Sequence, residues 1–317
     1  MLGYHYTLVQ FIFQQLKNMF VNRIKLLFIA GSGRNGSTLL ARLLGQIDGY
    51  QNIGEATQYL FNEKMIAQQI PCGCDHPLSE CEFWKEIISD IEIDEIRPLS
   101  TSLMRMRQIP RMISPIKSPW FKKKMRNLLR VMTDYLRAIQ YNSGYEMIVD
   151  ASKNPAIAVI LSRLSDVDLY VVHLVRDPRG YVSSWSKPKG YLNSFPVYTT
   201  TLWWLSYNLF SELLRFSAKK YLLVRYEDFV QDPEKHLKKI TQFVANKDVP
   251  IDFIEGSHAR INSQHMLGSN PDKLSSGQLK IKDQKWNLPW FKAWFVLLAT
   301  FPLLFRYRYV FKRPGQD

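Results

Sequence analysis

The segment GSGRNGSTLL, Gly31 to Leu40, holds the residue types with the most legible chemistry. The apolar run IKLLFIA (residues 24–30) precedes it, and Leu39, Leu40, Leu43 and Leu44 follow at helical spacing. A strand that turns through glycines into a helix gathers successive backbone N–H groups and the positive end of the helix dipole at one point, which makes an anion cradle. The spacing Gly31-x-x-x-x-Gly36 nearly matches a Walker A loop, but Ser37 stands where that loop carries its lysine. That lysine works on the terminal phosphates of a nucleoside triphosphate, so its loss argues against ATP chemistry while leaving phosphate binding intact.

A second anion pocket is readable further on. Arg176 and Ser184 lie eight residues apart in HLVRDPRGYVSSW, after the apolar run LYVVHLV (169–175). Asp177-Pro178 between them is a turn signal that also starts a helix, so a strand–turn–helix can bring a guanidinium and a hydroxyl onto one phosphate. Two further groups suit proton and charge handling. Glu55, in QNIGEATQY, follows the loop helix by a short turn and is a candidate general base, or an ordinary acidic residue at a helix N-terminus. Lys153, in VDASKNPA, follows an apolar strand (147–150) at the carboxyl edge where parallel-sheet enzymes place their chemistry; a salt bridge to Asp150 is the alternative. Arg225 in VRYEDF reads as structural, paired with Glu227 or Asp228.

These blocks resemble the sulfotransferases that use 3′-phosphoadenosine 5′-phosphosulfate (PAPS). LFIAGSGRNGSTLLARLL is similar to their 5′-phosphosulfate loop, HLVRDPRGYVSSW to their 3′-phosphate segment, and YLLVRYEDFVQDP to a third block. HMLGSNPDKLSSGQLKIKDQKW resembles the late loop that covers the nucleotide. The four blocks stand in the family's order across residues 25–290 and look most like its bacterial and Golgi-type branches, which act largely on carbohydrates or protein tyrosines. Asn35 stands where Ser is usual, and Ser269 interrupts the commoner Gly-Asn-Pro. The resemblance implies that Gly33, Arg34, Asn35, Gly36, Ser37 and Thr38 hold the 5′-phosphate and that Arg176 and Ser184 hold the 3′-phosphate. Asn270 and Ser276 would lie over the nucleotide. Glu55 would be the base, with Lys153 and Arg34 on the bridging oxygen and the transferred group. PAPS is then the donor and 3′,5′-ADP (PAP) the product, with no metal required, because a sulfuryl carries less charge than a phosphoryl.

The elements that must position these groups are apolar runs at 24–30, 147–150, 169–175 and 221–224, separated by long helical stretches. They predict an α/β fold, a three-layer sandwich with a central parallel sheet of the P-loop-like nucleotide-binding kind. With no repeats or Gly/Ser linker, residues 1–317 read as a single domain, with an N-terminal helix at 1–23 and an apolar helix and basic tail at 287–317. WFKAWFVLLATFPLLF is too short for a membrane span, so it docks on the core or lies at an interface, flanked by Arg306, Arg308, Lys312 and Arg313. The N-terminus lacks the marks of a signal peptide, which leads to a cytoplasmic expectation, with peripheral membrane association left open.

The charge balance, 42 Lys plus Arg against 28 Asp plus Glu, favours anionic partners. Between Arg105 and Arg137 ten basic residues face one acidic residue, either a solvated helix face or a wall for an acidic acceptor or lipid. An anionic saccharide is the leading acceptor, a lipid-linked or small alcohol the next, and protein tyrosine a third. A P-loop nucleotide-dependent kinase is the rival activity. Binding of nucleic acid or membrane without catalysis would leave both phosphate motifs idle. Cys72, Cys74 and Cys81, with His76 nearby, leave zinc, a disulfide and free thiols all open.

Overall fold

The computed structural model of the chain describes residues 23–309 except 90, 115–117, 187–193, 269, 275 and 282–285. The N-terminal helix expected over residues 1–23 and the basic tail beyond Tyr309 lie outside the described residues. Five strands form the central sheet: β1 (Ile24–Ala30), β2 (Tyr50–Gly54), β3 (Met147–Lys153), β4 (Val167–Val175) and β5 (Lys220–Arg225). Their order is β2-β3-β1-β4-β5, and every pairing is parallel. The expected α/β sandwich is therefore the fold observed. A central parallel strand is buried on both faces, which is why β1 and β4, and β3 over its first three residues, read as nearly continuous apolar runs in the sequence.

Successive residues of β1 point to opposite layers. Leu26 and Phe28 join one core with helices α3 (Glu82–Ser89), α4 (Ile93–Leu103), α5 (Pro119–Ser143) and α6 (Pro155–Leu161). Leu27 and Ile29 join the other, with α1 (Ser37–Leu44) and α10 (Pro233–Ala245). Between these helices in chain order lie α2 (Ala56–Leu60), α7 (Pro178–Trp185), α8 (Val197–Leu213) and α9 (Tyr226–Gln231). A small antiparallel sheet, β6 (Ile254–Glu255), β7 (His258–Ile261) and β8 (Gly277–Lys280), packs beside the second core.

Strand β2 has no counterpart among the apolar runs. Its sequence, YQNIG, carries the buried Asn52, whose Nδ2 donates to Gln264 Oε1 at 2.6 Å and whose Oδ1 accepts the Gly54 N–H at 2.9 Å. A polar residue satisfied by a partner more than two hundred positions away leaves no local signature. The last helix, α11 (Trp290–Arg306), buries Ala293, Val296, Thr300 and Leu304 against the core. Its other face exposes Trp290 (76%), Trp294, Leu298 (70%) and Phe305. Among the described residues no helix is long and apolar enough to cross a membrane.

His173 of β4 is wholly buried. The Asn208 amide donates to Trp204 O at 2.7 Å, so its Oδ1 faces His173 Nε2 at 2.8 Å and accepts the ring proton; Nδ1 then accepts from Tyr221 OH at 2.6 Å. Glu212, 4.0 Å from Nδ1, is itself paired with Arg215 and Arg306. Burial pushes the His173 pKa down from 6.5 to about 4, assisted by Arg215 and Arg306. Between those values the unfolded chain binds a proton that the fold refuses, so stability falls as pH drops through the window, by at most about 3 kcal/mol. The urea midpoint should accordingly fall between pH 7 and pH 4.5, and fall less in His173→Gln. Equal pH dependence in the two proteins would show that another group sets the acid limit.

Candidate active site

The loop after β1 is held by its own side chains. Asn35 is fully buried; its amide donates to Leu174 O at 2.7 Å, and its Oδ1 accepts the Ser37 N–H at 3.1 Å. The side chain therefore pins the loop to the end of β4 and does not form cavity wall. Gly36 stands at the start of α1 with φ +96°, and a Cβ there would come within 2.3 Å of the Tyr226 ring. Arg34 also takes a left-handed backbone, φ 60°. Its guanidinium sits 4.9 Å from the Trp185 ring and donates to Ser184 O at 2.5 Å.

Arg176 and Ser184 are placed by the turn into α7. Asp177 caps that helix by accepting the Arg179 N–H at 2.8 Å, and its own N–H donates to Glu227 Oε1 at 2.9 Å. Burial pushes the Glu227 carboxyl up, while Tyr309 OH donates to its other oxygen at 2.6 Å. Arg176, 6% exposed, lies 4.7 Å from the Tyr226 ring and donates to Arg34 O at 3.3 Å. A cationic fork from one motif thus reaches the backbone of the other. Arg225 pairs with Asp228 at 3.7 Å and lies 4.4 Å from the Tyr309 ring, in keeping with a structural part.

Glu55 and Lys153 meet at 2.5 Å, each side chain 12% exposed. The bond goes to Glu55 and not to Asp150, whose carboxylate accepts the Ser152 N–H at 2.7 Å. Glu55 stands between β2 and α2 as the cap position of that helix, and its N–H donates to Leu267 O at 2.6 Å. Lys153 ends β3 with φ 64°, beyond an irregularity where β1 advances from Phe28 to Ala30 while β3 advances from Asp150 to Lys153. The extra residue is a bulge, a device that re-aims a side chain beside a site.

One cavity of about 750 Å³ collects most of these groups. Gly33, Arg34, Gly36, Ser37, Thr38, Glu55, Lys153, Arg176, Ser184 and Asn270 all line it. Asn270 donates to Thr38 Oγ1 at 3.2 Å, whereas Ser276 is exposed to solvent away from the wall. The cavity also contains residues that sequence reasoning passed over: Arg42, Gln58, Trp203, Tyr207, Tyr226 and Lys280. Burial raises the Tyr207 pKa, with the Glu55 carboxylate adding to it, so Tyr207 is a neutral phenol near that carboxylate. Helix α8, VYTTTLWWLSYNLFSEL, mixes apolar and polar residues around its circumference, burying Thr200, Thr201, Asn208 and Ser211 beside Trp204, and gives no sign of which face meets a cavity. From the basic stretch 105–137 only Met106 lines the cavity among the described residues, and Lys122, Lys123, Lys124 and Arg126 stand on a solvated face of α5. Among its described residues, then, no basic side chain of the stretch lines this cavity.

The arrangement can grip two anionic groups, neutralise charge between them and accept a proton. The sequence pattern of the sulfotransferase family matches residues 27–247. No curated protein sequence matches the chain. Among solved structures, the sulfotransferase domain from the curacin biosynthetic pathway is 16% identical, with a TM-score of 0.49 over 88% of this chain and 98% of that one. Sulfotransferase STF9 from Mycobacterium avium is 13% identical, with a TM-score of 0.46 over 97% and 82%. The sulfotransferase domain of the Synechococcus PCC 7002 olefin synthase is 20% identical, with a TM-score of 0.40 over 70% and 74%. Likeness of this degree carries no argument about substrate.

The loop geometry is testable through Gly36→Ala. A Cβ forced into the Tyr226 ring at positive φ should cost about 1–3 kcal/mol, read as a lowered urea midpoint. In a Tyr226→Ala background, itself destabilised, the further loss on adding Gly36→Ala should be smaller than in the parent chain. An unchanged midpoint for Gly36→Ala would contradict the packing described.

Proposed function

The chain belongs to the sulfotransferase family, and from that premise we propose that it moves a sulfuryl group from PAPS to an acceptor hydroxyl by in-line displacement. One observation carries the reading: the Gly31–Thr38 loop and the Arg176/Ser184 pair, two anion-binding sets from separate motifs, open into the same cavity as the Glu55–Lys153 pair. A doubly phosphorylated adenosine has anionic groups at two ends of one ribose, and two such sets match it. Backbone N–H groups at Gly36–Thr38 with Ser37 and Thr38 hold the 5′-phosphate, while Arg176 and Ser184 hold the 3′-phosphate. The Walker lysine is missing from this loop, which disfavours the kinase alternative.

The Glu55 carboxylate takes the proton of the acceptor hydroxyl as that oxygen forms a bond to sulfur. The bond between sulfur and the bridging oxygen breaks, and its electron pair stays on the 5′-phosphate of PAP. Lys153 and Arg34 neutralise the charge that develops there. With the donor bound, the Lys153 ammonium exchanges its Glu55 partner for the bridging oxygen, which frees the carboxylate to act as base. Fixed cations supply the stabilisation, so no metal is assigned to the chemistry.

For the acceptor, a saccharide is the first reading, supported by the aromatic side of the cavity at Trp185, Trp203 and Tyr207, since sugar rings stack on such faces. A hydroxyl carried at a lipid surface is the second, supported by the exposed apolar face of α11 beside Arg306. The tail beyond Tyr309 does not enter either reading.

PAP should raise the melting temperature in the absence of Mg²⁺ by mass action. Arg176→Ala should weaken PAP binding about 10- to 100-fold, the loss of charge-assisted hydrogen bonds. Glu55→Gln should lower turnover about 10²- to 10⁴-fold with PAP affinity nearly unchanged. Stabilisation by ATP with Mg²⁺ but not by PAP would overturn the donor assignment, and wild-type turnover in Glu55→Gln would overturn the base. A screen of saccharides against hydroxyl-bearing lipids in vesicles, with radiolabelled donor, separates the two acceptors.

A further inference from the structure

The three cysteines are not spread through the core as isolated small apolar residues. Cys72 and Cys81 are buried, Cys74 is half-buried, and all three thiols converge with the ring of His265. The four ligand atoms lie within 4.8 Å of one another. Cys74 Sγ is 3.6 Å from Cys81 Sγ, and Cys81 Sγ is 3.3 Å from His265 Nδ1. A tetrahedral zinc ion with Zn–S bonds near 2.3 Å and a Zn–N bond near 2.1 Å sets ligand edges of about 3.8 Å for S···S and about 3.6 Å for S···N. The observed separations are close to those edges before any metal is added.

We propose that Cys72, Cys74, Cys81 and His265 form a closed, structural Cys₃His zinc site that fastens the 72–81 loop to the segment leading into Asn270. His76 touches the rim and not the centre: its exposed ring reaches the Cys74 thiol and Cys74 O (3.0 Å from Nδ1), but the four ligand atoms that converge on one point are those of the three cysteines and His265. Binding converts three thiols to thiolates and releases three protons, and the ion takes four protein ligands with no open position. Such a centre carries one net negative charge. Lys273, 3% exposed, donates to Pro71 O beside Cys72 and supplies a buried cation next to it.

The surroundings support four fixed ligands. The Cys72–His76 turn is closed by the Cys72 N–H to His76 O (2.9 Å) and the Asp75 N–H to Cys72 O (2.9 Å). Gly73 permits the turn to press on the 264–266 segment, since a Cβ there would stand 2.4 Å from Gln264 O; its N–H donates to Met266 O at 2.9 Å. The His265 ring stacks on Phe83 with centroids 5.5 Å apart, and Trp84 Nε1 donates to His265 O at 3.0 Å. Two residues on, Leu267 exchanges backbone hydrogen bonds with Ile53 and Glu55, and Asn270 reaches Thr38. The metal thus secures the segment against which the proposed base is held. That consequence rests on the sulfuryl-transfer reading; the metal site itself does not.

The test uses untagged full-length protein purified with reductant from zinc-supplemented cells. Elemental analysis should give about one zinc per chain, retained in His76→Ala and in His265→Cys, and lost in His265→Ala and Cys74→Ser. Removing zinc with a chelator should lower the melting temperature, and adding zinc back should restore it. Cobalt substitution should produce tetrahedral d–d bands and thiolate-to-cobalt charge transfer. Substoichiometric metal together with no cobalt spectrum on reconstitution overturns the site, as does loss of zinc in His76→Ala with retention in His265→Ala. A Cys74–Cys81 disulfide found by mass spectrometry in protein handled anaerobically overturns it as well. PAP binding measured on the same samples keeps the two readings apart: zinc without PAP binding sinks the donor assignment alone, and PAP binding without zinc sinks this one alone.

Discussion

Strand β1 is hydrogen-bonded on both sides along its length, Leu27 opposite Val149 on one edge and Tyr170 on the other. Because the pairings are parallel, all five strands of the sheet end at the same edge. Glu55 follows β2, Lys153 ends β3, the Gly31–Thr38 loop follows β1 and Arg176 follows β4. Four adjacent strand ends deliver four chemical groups within one cavity's width, and a slip of any strand by one residue would turn its buried side chains to the other layer. Register is the constraint from which the site follows.

That register is broken in a controlled way on both sides of Asp150. Against β1 the strand β3 gains a residue, and against β3 the strand β2 gains one, with Asn52 opposite Val149 but Gly54 opposite Asp150. Asp150 is fully buried between the two irregularities, and burial pushes its carboxyl up. The bulges turn Lys153 into a left-handed backbone and bring it to Glu55. Positive φ at a non-glycine residue costs energy, of order 1 kcal/mol, and both Arg34 and Lys153 carry that strain at the cavity wall. The sheet around them is well enough buried to hold it.

The cavity is closed by parts distant in sequence. Helix α8 brings Trp203 and Tyr207, α9 brings Tyr226, and the late segment brings Asn270, Leu279 and Lys280. The same Tyr226 ring stops at Gly36 and carries the Arg176 guanidinium, so one aromatic ring spaces the loop after β1 from the turn after β4. Helix α11 docks beside α8 by one face, as a core helix does, and leaves a row of large apolar side chains exposed on the other.

The four long apolar strands, the glycine-bearing turn after β1 and the Arg176 turn were legible in the sequence, because each is set by neighbours within about ten positions: a run of buried residues, a glycine spacing, a cap. Strand β2 was not, since Asn52 finds its partner at Gln264. Nor was the basic stretch at 105–137 placeable, because a helix's charged face can be read from periodicity while the direction in which that face points cannot. His265 sits 184 residues from Cys81, and nothing local distinguishes it from the nearer His76. Sequence alone determined the local structure of the segments whose signals are local; only the tertiary structure decided which segments meet, because hydrogen-bonded register and side-chain packing act between residues the chain holds far apart.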